Sequence, residues 1–131
     1  MRSLLALAMM LCLSAPVSAQ TPAASTDRSF VVFFVEWSAA LDMSAASVIS
    51  AAATAAKANP TEPVVVTGTA DPIGSARANS LISALRAEQV ANALIAAGVA
   101  STRIEQRALG GTDYQLNALE SRRVIIAIGA K

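Results

Sequence analysis

Residues Val64 to Arg86 read VVVTGTADPIGSARANSLISALR, and this stretch decides the architecture. Three β-branched residues, Val64 to Val66, followed by Gly68, predict a buried strand that stops at a turn. Asp71-Pro72 sets the turn, because proline fixes its own φ and keeps the preceding residue extended. Gly74 frees the backbone before Ser75, which accepts from the first amides of a helix as its N-cap. That helix is predicted from Ser75 to Ala97, with Gly98 as its stop. Steps of three, four and seven residues place Asn79, Ile82, Ser83, Arg86, Val90 and Leu94 on one stripe. Two polar residues, Asn79 and Arg86, therefore interrupt the core stripe near its start. Asp71 and Arg86 can be read in two ways. They form a structural pair pinning turn to helix, or a small pocket with one negative and one positive wall, suited to a zwitterion.

Working outward, Ser29 to Val35 predicts a first strand, its run Phe30 to Phe34 almost continuously apolar. Glu36-Trp37-Ser38 closes it, and Trp37 either packs under the loop or stacks on a ligand. Asp42 and Ser44 are candidate N-caps for a helix from Met43 to Ala58. Its packing face is Ala46, Val48, Ile49, Ala52, Ala53 and Ala56. After Gly98, Arg103 to Ala108 alternates as a third strand, Gly110-Gly111 breaks the chain, and Thr112 to Ser121 is a loop with one helical turn. Arg122 to Ile128 forms the last strand. The order β-α-β-α-β-β gives an α+β two-layer sandwich, a mixed four-stranded sheet with helices on one face.

The ends and the composition bound the class. Met1 to Ala19 carries Arg2, an apolar run from Leu4 to Leu13 and Val17-Ser18-Ala19, which predicts a secretory signal peptide cleaved after Ala19. The apolar run is too short for a membrane span. Cys12, the single cysteine of 131 residues, lies inside it without the small residues of a lipoprotein signal, so the mature chain is expected to hold no disulfide. Residues 20–28 read as a flexible lead-in and 29–131 as one domain. Lysine plus arginine number 10 against 9 acids, and loss of Arg2 leaves them balanced. A neutral surface argues against a nucleic-acid partner. Hydrophobic content of 54% with 4% aromatic residues reflects alanine-rich helices, with no transmembrane span expected in the mature chain. The chain has no histidine, and no cysteine follows residue 19, so the commonest general base, thiol nucleophile and soft metal ligands are missing. Neither catalysis nor a cofactor is expected.

Gly68-Thr69-Ala70-Asp71-Pro72-Ile73-Gly74-Ser75, then Asn79, Leu81-Ile82-Ser83, Arg86-Ala87, Val90 and Leu94, resemble the signature of the OmpA-like (OmpA/Pal/MotB C-terminal) peptidoglycan-binding domain. The resemblance runs from Phe30 to Ile128. It departs from the family at Val35-Glu36-Trp37-Ser38, whose acid and aromatic are placed differently. It departs again at Ala108-Leu109-Gly110-Gly111, which lacks the family's Glu, and at Ser121-Arg122-Arg123-Val124, which lacks its Asn. The resemblance implies a periplasmic domain that holds the meso-diaminopimelate of the peptidoglycan stem peptide. Asp71 would accept from the ammonium, Arg86 would clamp the carboxylate and Asn79 would add a neutral hydrogen bond. Thr69 enters this set with the turn motif. Arg122 and Arg123 point to opposite sides of a strand, which leaves open which one supports the pocket; Arg123 is the candidate. Leu81 and Leu85 lie off the core stripe and are either covered by loops or face a partner, a second copy or another envelope protein. The rival expectation is the same fold without wall binding, serving as an interaction or scaffold module.

Overall fold

The computed structural model describes residues 28–111 and 118–129. Its elements run β1 (Arg28–Phe33), α1 (Met43–Ala58), β2 (Val64–Ala70), α2 (Ala76–Ala96), a 3-10 turn (Ser101–Arg103), β3 (Ile104–Gly111), α3 (Ala118–Ser121) and β4 (Arg123–Ile128). The expected α+β order holds, and the sheet is mixed, with strand order β1-β4-β2-β3. β4 is antiparallel to both β1 and β2, whereas β2 and β3 run parallel. The expected signal peptide and residues 20–27 of the lead-in lie outside the described residues; Arg28 already belongs to β1.

One core cluster joins Val32, Val64 and Val66, and Val124, Ile126 and Ile128 from the sheet, with Phe34 just past β1, to residues of both helices, so α1 and α2 cover the same face. Pairing of Val32 with Val124 and of Val66 with Ile126 aligns these side chains across the sheet. On α1 the buried residues are Ala45, Ile49, Ala52, Ala53 and Ala56. Ala45 takes the place expected for Ala46, one step around the helix. Alanine there lets α1 approach β1 and α2 closely. Asp42, rather than Ser44, is the cap, its Oδ1 accepting from the Ala45 amide at 2.7 Å.

Ser75 caps α2 as expected, its Oγ accepting from the Ala78 amide at 3.0 Å. At the other end Gly98 takes φ 103°, its amide donating to Ile95 O and that of Val99 to Leu94 O, both at 3.0 Å. This is a Schellman closure, and its usual apolar contact is supplied by buried Leu94 and Val99. Burial of one such aliphatic side chain stabilises the domain by roughly 1.5–3 kcal/mol.

Two expectations are corrected at the edges of the sheet. β1 ends at Phe33, and its apolar run is not buried throughout: Val32 and Phe34 are, while Phe33 is 45% exposed. β1 is an edge strand with helices on one face, so alternate side chains look outward. Gly110-Gly111 does not break the chain. β3 continues through both glycines, because Ala70 pairs with Gly111 across a register shift after Gly68. β3 is the other edge, and its residues from Glu105 to Leu109 are all exposed. The expected helical turn in the last loop is α3.

Candidate functional site

The site forms where β2 ends and α2 begins. Asp71 immediately follows β2, and the Ser75 cap turns the chain so that Asn79 and Arg86 come back beneath it. A cavity of about 10 Å³ lies between them, room for roughly one water molecule. Asp71, Asn79, Ile82 and Arg86 line it together with Ala70, and Glu36 and Trp37 of the β1–α1 connection complete the wall.

Arg86 is the largest fully buried side chain among the described residues, 1% exposed. Its Nε donates to Ser38 O at 2.8 Å, Nη1 to Thr69 O at 3.1 Å and Nη2 to Val35 O at 3.1 Å. The guanidinium also stands 5.3 Å from the centre of the Phe34 ring, a cation–π distance. Three of its five N–H groups thus hold the backbone of the β1 turn and the end of β2. Burial pushes the Arg86 guanidinium down from its ordinary value, Asp71 pulls it back up and Arg122 pushes it down further. Arginine nonetheless stays charged in proteins.

Asp71 is 7% exposed, and the structural pair weighed for it with Arg86 is replaced by another. Oδ2 accepts from Arg122 Nη1 at 3.3 Å, while buried Oδ1 has no hydrogen-bond partner. Arg122, not Arg123, therefore stands beside the site. The antiparallel register that places Gly68 opposite Val124 carries the residues just before Arg123 alongside the end of β2. Arg123 itself sits in β4 opposite Phe33, and its carbonyl oxygen accepts from Thr69 Oγ1 at 3.2 Å. Thr69 Oγ1 reaches Ser121 O more closely, at 2.7 Å, so this hydroxyl braces β2 against the start of β4. Asn79, 3% exposed, donates from Nδ2 to Ile73 O at 3.1 Å and fastens the turn over the first part of α2.

Of the five expected site residues, the cavity brings together Asp71, Asn79 and Arg86; Thr69 and Arg123 serve the backbone next to it. The choice between Arg122 and Arg123, left open by the sequence with Arg123 as the candidate, falls on Arg122 as the partner of Asp71. With Glu36 and Asp71 as acids and Arg86 and Arg122 as cations, the site offers charges of both signs within one small volume. That arrangement can take an ammonium and a carboxylate of one ligand. Among the described residues no group of histidine, cysteine, aspartate or glutamate is placed to hold a metal ion. Leu81 and Leu85 are 62% and 43% exposed.

Comparison with known proteins follows the same lines. A family model described as the OmpA family matches residues 33–121. The chain has no match among curated protein sequences. Solved structures similar to it include the peptidoglycan-associated lipoprotein from Burkholderia pseudomallei, 22% identical over 76% of this chain and 89% of that one, with a TM-score of 0.69. The C-terminal domain of Helicobacter pylori MotB is 21% identical over 79% and 85% of the two chains, with a TM-score of 0.67. The cell wall anchor of the T6SS from Pseudomonas aeruginosa is 24% identical over 79% and 81%, with a TM-score of 0.63. At these identities the likeness is one of fold.

Proposed function

Because the chain belongs to the OmpA family, we propose that it binds peptidoglycan non-covalently in the periplasm, through the diaminopimelate of an uncrosslinked stem peptide. The observation that supports this most is the buried Asp71 Oδ1, an acceptor without a partner beside the Arg86 guanidinium. An unsatisfied buried carboxylate oxygen costs about 1–3 kcal/mol or more, a cost that a ligand ammonium would remove. Arg86 keeps two N–H groups beyond its three backbone bonds, enough for one carboxylate. Asn79 orders the turn between them and offers the neutral contact. Names of similar structures, a peptidoglycan-associated lipoprotein and a cell wall anchor, point the same way. In this reading residues 1–19 are removed on secretion; no helix among the described residues is long and apolar enough to cross a membrane. Charge-assisted hydrogen bonds contribute roughly 1.5–3 kcal/mol each, and a polymer presenting many copies of the ligand makes rebinding frequent.

Co-sedimentation with purified diaminopimelate-type peptidoglycan tests the reading. Wild type should pellet with the wall and Asp71→Asn, folded by circular dichroism, should stay in solution. Asn keeps the shape and removes the charge that an ammonium needs. A second reading, a scaffold module of the same fold without wall binding, is favoured by the commitment of Arg86 to three backbone carbonyls. Wild type remaining in solution would select it. Leu81 and Leu85 would then be the first place to seek a partner, either a second copy or an envelope protein.

A further inference from the structure

We infer that Trp37 is a ligand-contacting, selectivity-setting residue of this site: its indole is the movable outer wall, which swings aside to admit a charged head group and closes back only over an unsubstituted one. The inference rests on the binding reading above and names the side chain that decides what enters. Trp37 lines the cavity together with Asp71, Asn79 and Arg86. Its indole reaches from the β1 turn to the Asp71–Ser75 turn, so close to Gly74 that a Cβ there would stand 2.9 Å from Cη2. A side chain at residue 74 would therefore collide with the indole where it now rests.

The backbone beneath the indole is unusual. Trp37 takes φ 54°, among the described residues the one positive φ outside glycine, at a turn position where glycine or asparagine is the common occupant. The turn is held by the Ser38 amide donating to Val35 O at 3.1 Å, and Arg86 grips the carbonyls of both those residues from inside. Such backbone conformations collect at ligand clamps and switches, where surrounding contacts hold them. The indole itself is 55% exposed. Its base is rigid and its ring is half free.

The space underneath is the deciding quantity. About 10 Å³ accommodates one water, whereas a head group with an ammonium and a carboxylate on one carbon has several heavy atoms. A group of that size does not fit within this volume beside Asp71 Oδ1, which has no hydrogen-bond partner, while the indole rests on Gly74. Asp71, Asn79 and Arg86 are each at least nine-tenths buried and fastened by hydrogen bonds, which leaves the exposed side of the lining, Glu36 and Trp37, as the part that can yield, and of these two the indole is the one lying against Gly74. Once open, its apolar face packs on the aliphatic stem behind the charged end. A cross-linked amine carries a second chain through the same opening and holds the indole out.

Trp37 is the single tryptophan of the protein, so its emission reports on the site alone. The purified protein, Trp37→Ala and Trp37→Phe are mixed with the soluble stem tripeptide ending in meso-diaminopimelate and with its cross-linked dimer. Binding is followed by calorimetry and stopped-flow, and the wild type also by intrinsic fluorescence. The tripeptide should shift the wild-type emission. Trp37→Ala should associate on the order of tenfold faster, as when a closed state holding about nine-tenths of the molecules is removed, and should discriminate less against the dimer. Binding to Trp37→Ala but not to wild type would overturn the inference, because the native indole would then not swing aside for the tripeptide. Heat of binding to the wild type with no change in emission, and variants of unchanged rate and discrimination, would overturn the inference and leave wall binding standing. No binding to any of the three overturns both. The wild-type emission serves as the readout should either variant fail to fold.

Discussion

Replacing Arg86 by alanine should damage the fold before it damages binding. The guanidinium is 1% exposed and donates to the carbonyls of Val35, Ser38 and Thr69, so truncation removes one buried and two part-buried hydrogen bonds at once, Val35 O keeping only the Ser38 amide. Hydrogen bonds from a charged group contribute roughly 1.5–3 kcal/mol each, which for three gives a gross loss of about 4–9 kcal/mol. Against this, the folded state no longer desolvates a cation, and the Val35–Ser38 turn can relax toward water. Removal of one partner from a buried charged network destabilises by about 3–5 kcal/mol, and that is the magnitude expected here. It is a large share of the roughly 5–15 kcal/mol that holds a domain of this size together. Urea denaturation followed by circular dichroism at 222 nm measures it directly. Arg86→Lys should fall between wild type and alanine, since one ammonium keeps the charge but cannot fork to three carbonyls. A loss below about 1 kcal/mol for Arg86→Ala would refute the reasoning, because the turn would then be held by something other than this side chain. The same arithmetic explains why Asp71→Asn, rather than Arg86→Ala, is the informative variant in a wall-binding assay.

Gly68→Ala drives a methyl into the Ser83 carbonyl oxygen and to 3.3 Å from the Ala87 Cβ, so α2 must lift from β2; a loss of about 1–3 kcal/mol or more should appear as a lower urea midpoint. Asp42→Ala removes the cap on the Ala45 amide and should cost about 1 kcal/mol, read from the same titration, with Asp42→Asn close to wild type. The double change Leu81→Ser, Leu85→Ser on the exposed face of α2 should leave stability within about 0.5 kcal/mol per site. Sedimentation velocity on that variant then tells whether this face joins two copies.

What could be read directly from the chain was what neighbouring residues decide. The caps at Ser75 and Asp42, the stop at Gly98 and the buried stripe of Asn79, Ser83, Arg86, Val90 and Leu94 all depend on residues within one or two helical turns. The existence of β4 and the turn at Asp71-Pro72 are local in the same sense. The side chains gathered at the cavity from α2 were therefore legible as a set, while their bonding was not.

Only the tertiary structure decided who meets whom. Arg122 and Asp71 are 51 positions apart, as are Arg86 and Val35. Their contacts exist because β4 inserts between β1 and β2, an order that no local periodicity encodes. That insertion selects Arg122 over Arg123, leaves β3 at an edge with Glu105 to Leu109 exposed, and brings the β1 turn over α2. There Arg86 binds carbonyls and Trp37 lies against Gly74. Sequence signals act over the few residues that share a turn or a strand. Contacts closed by long loops are set by which packing of whole elements buries the most apolar surface without leaving polar groups unpaired.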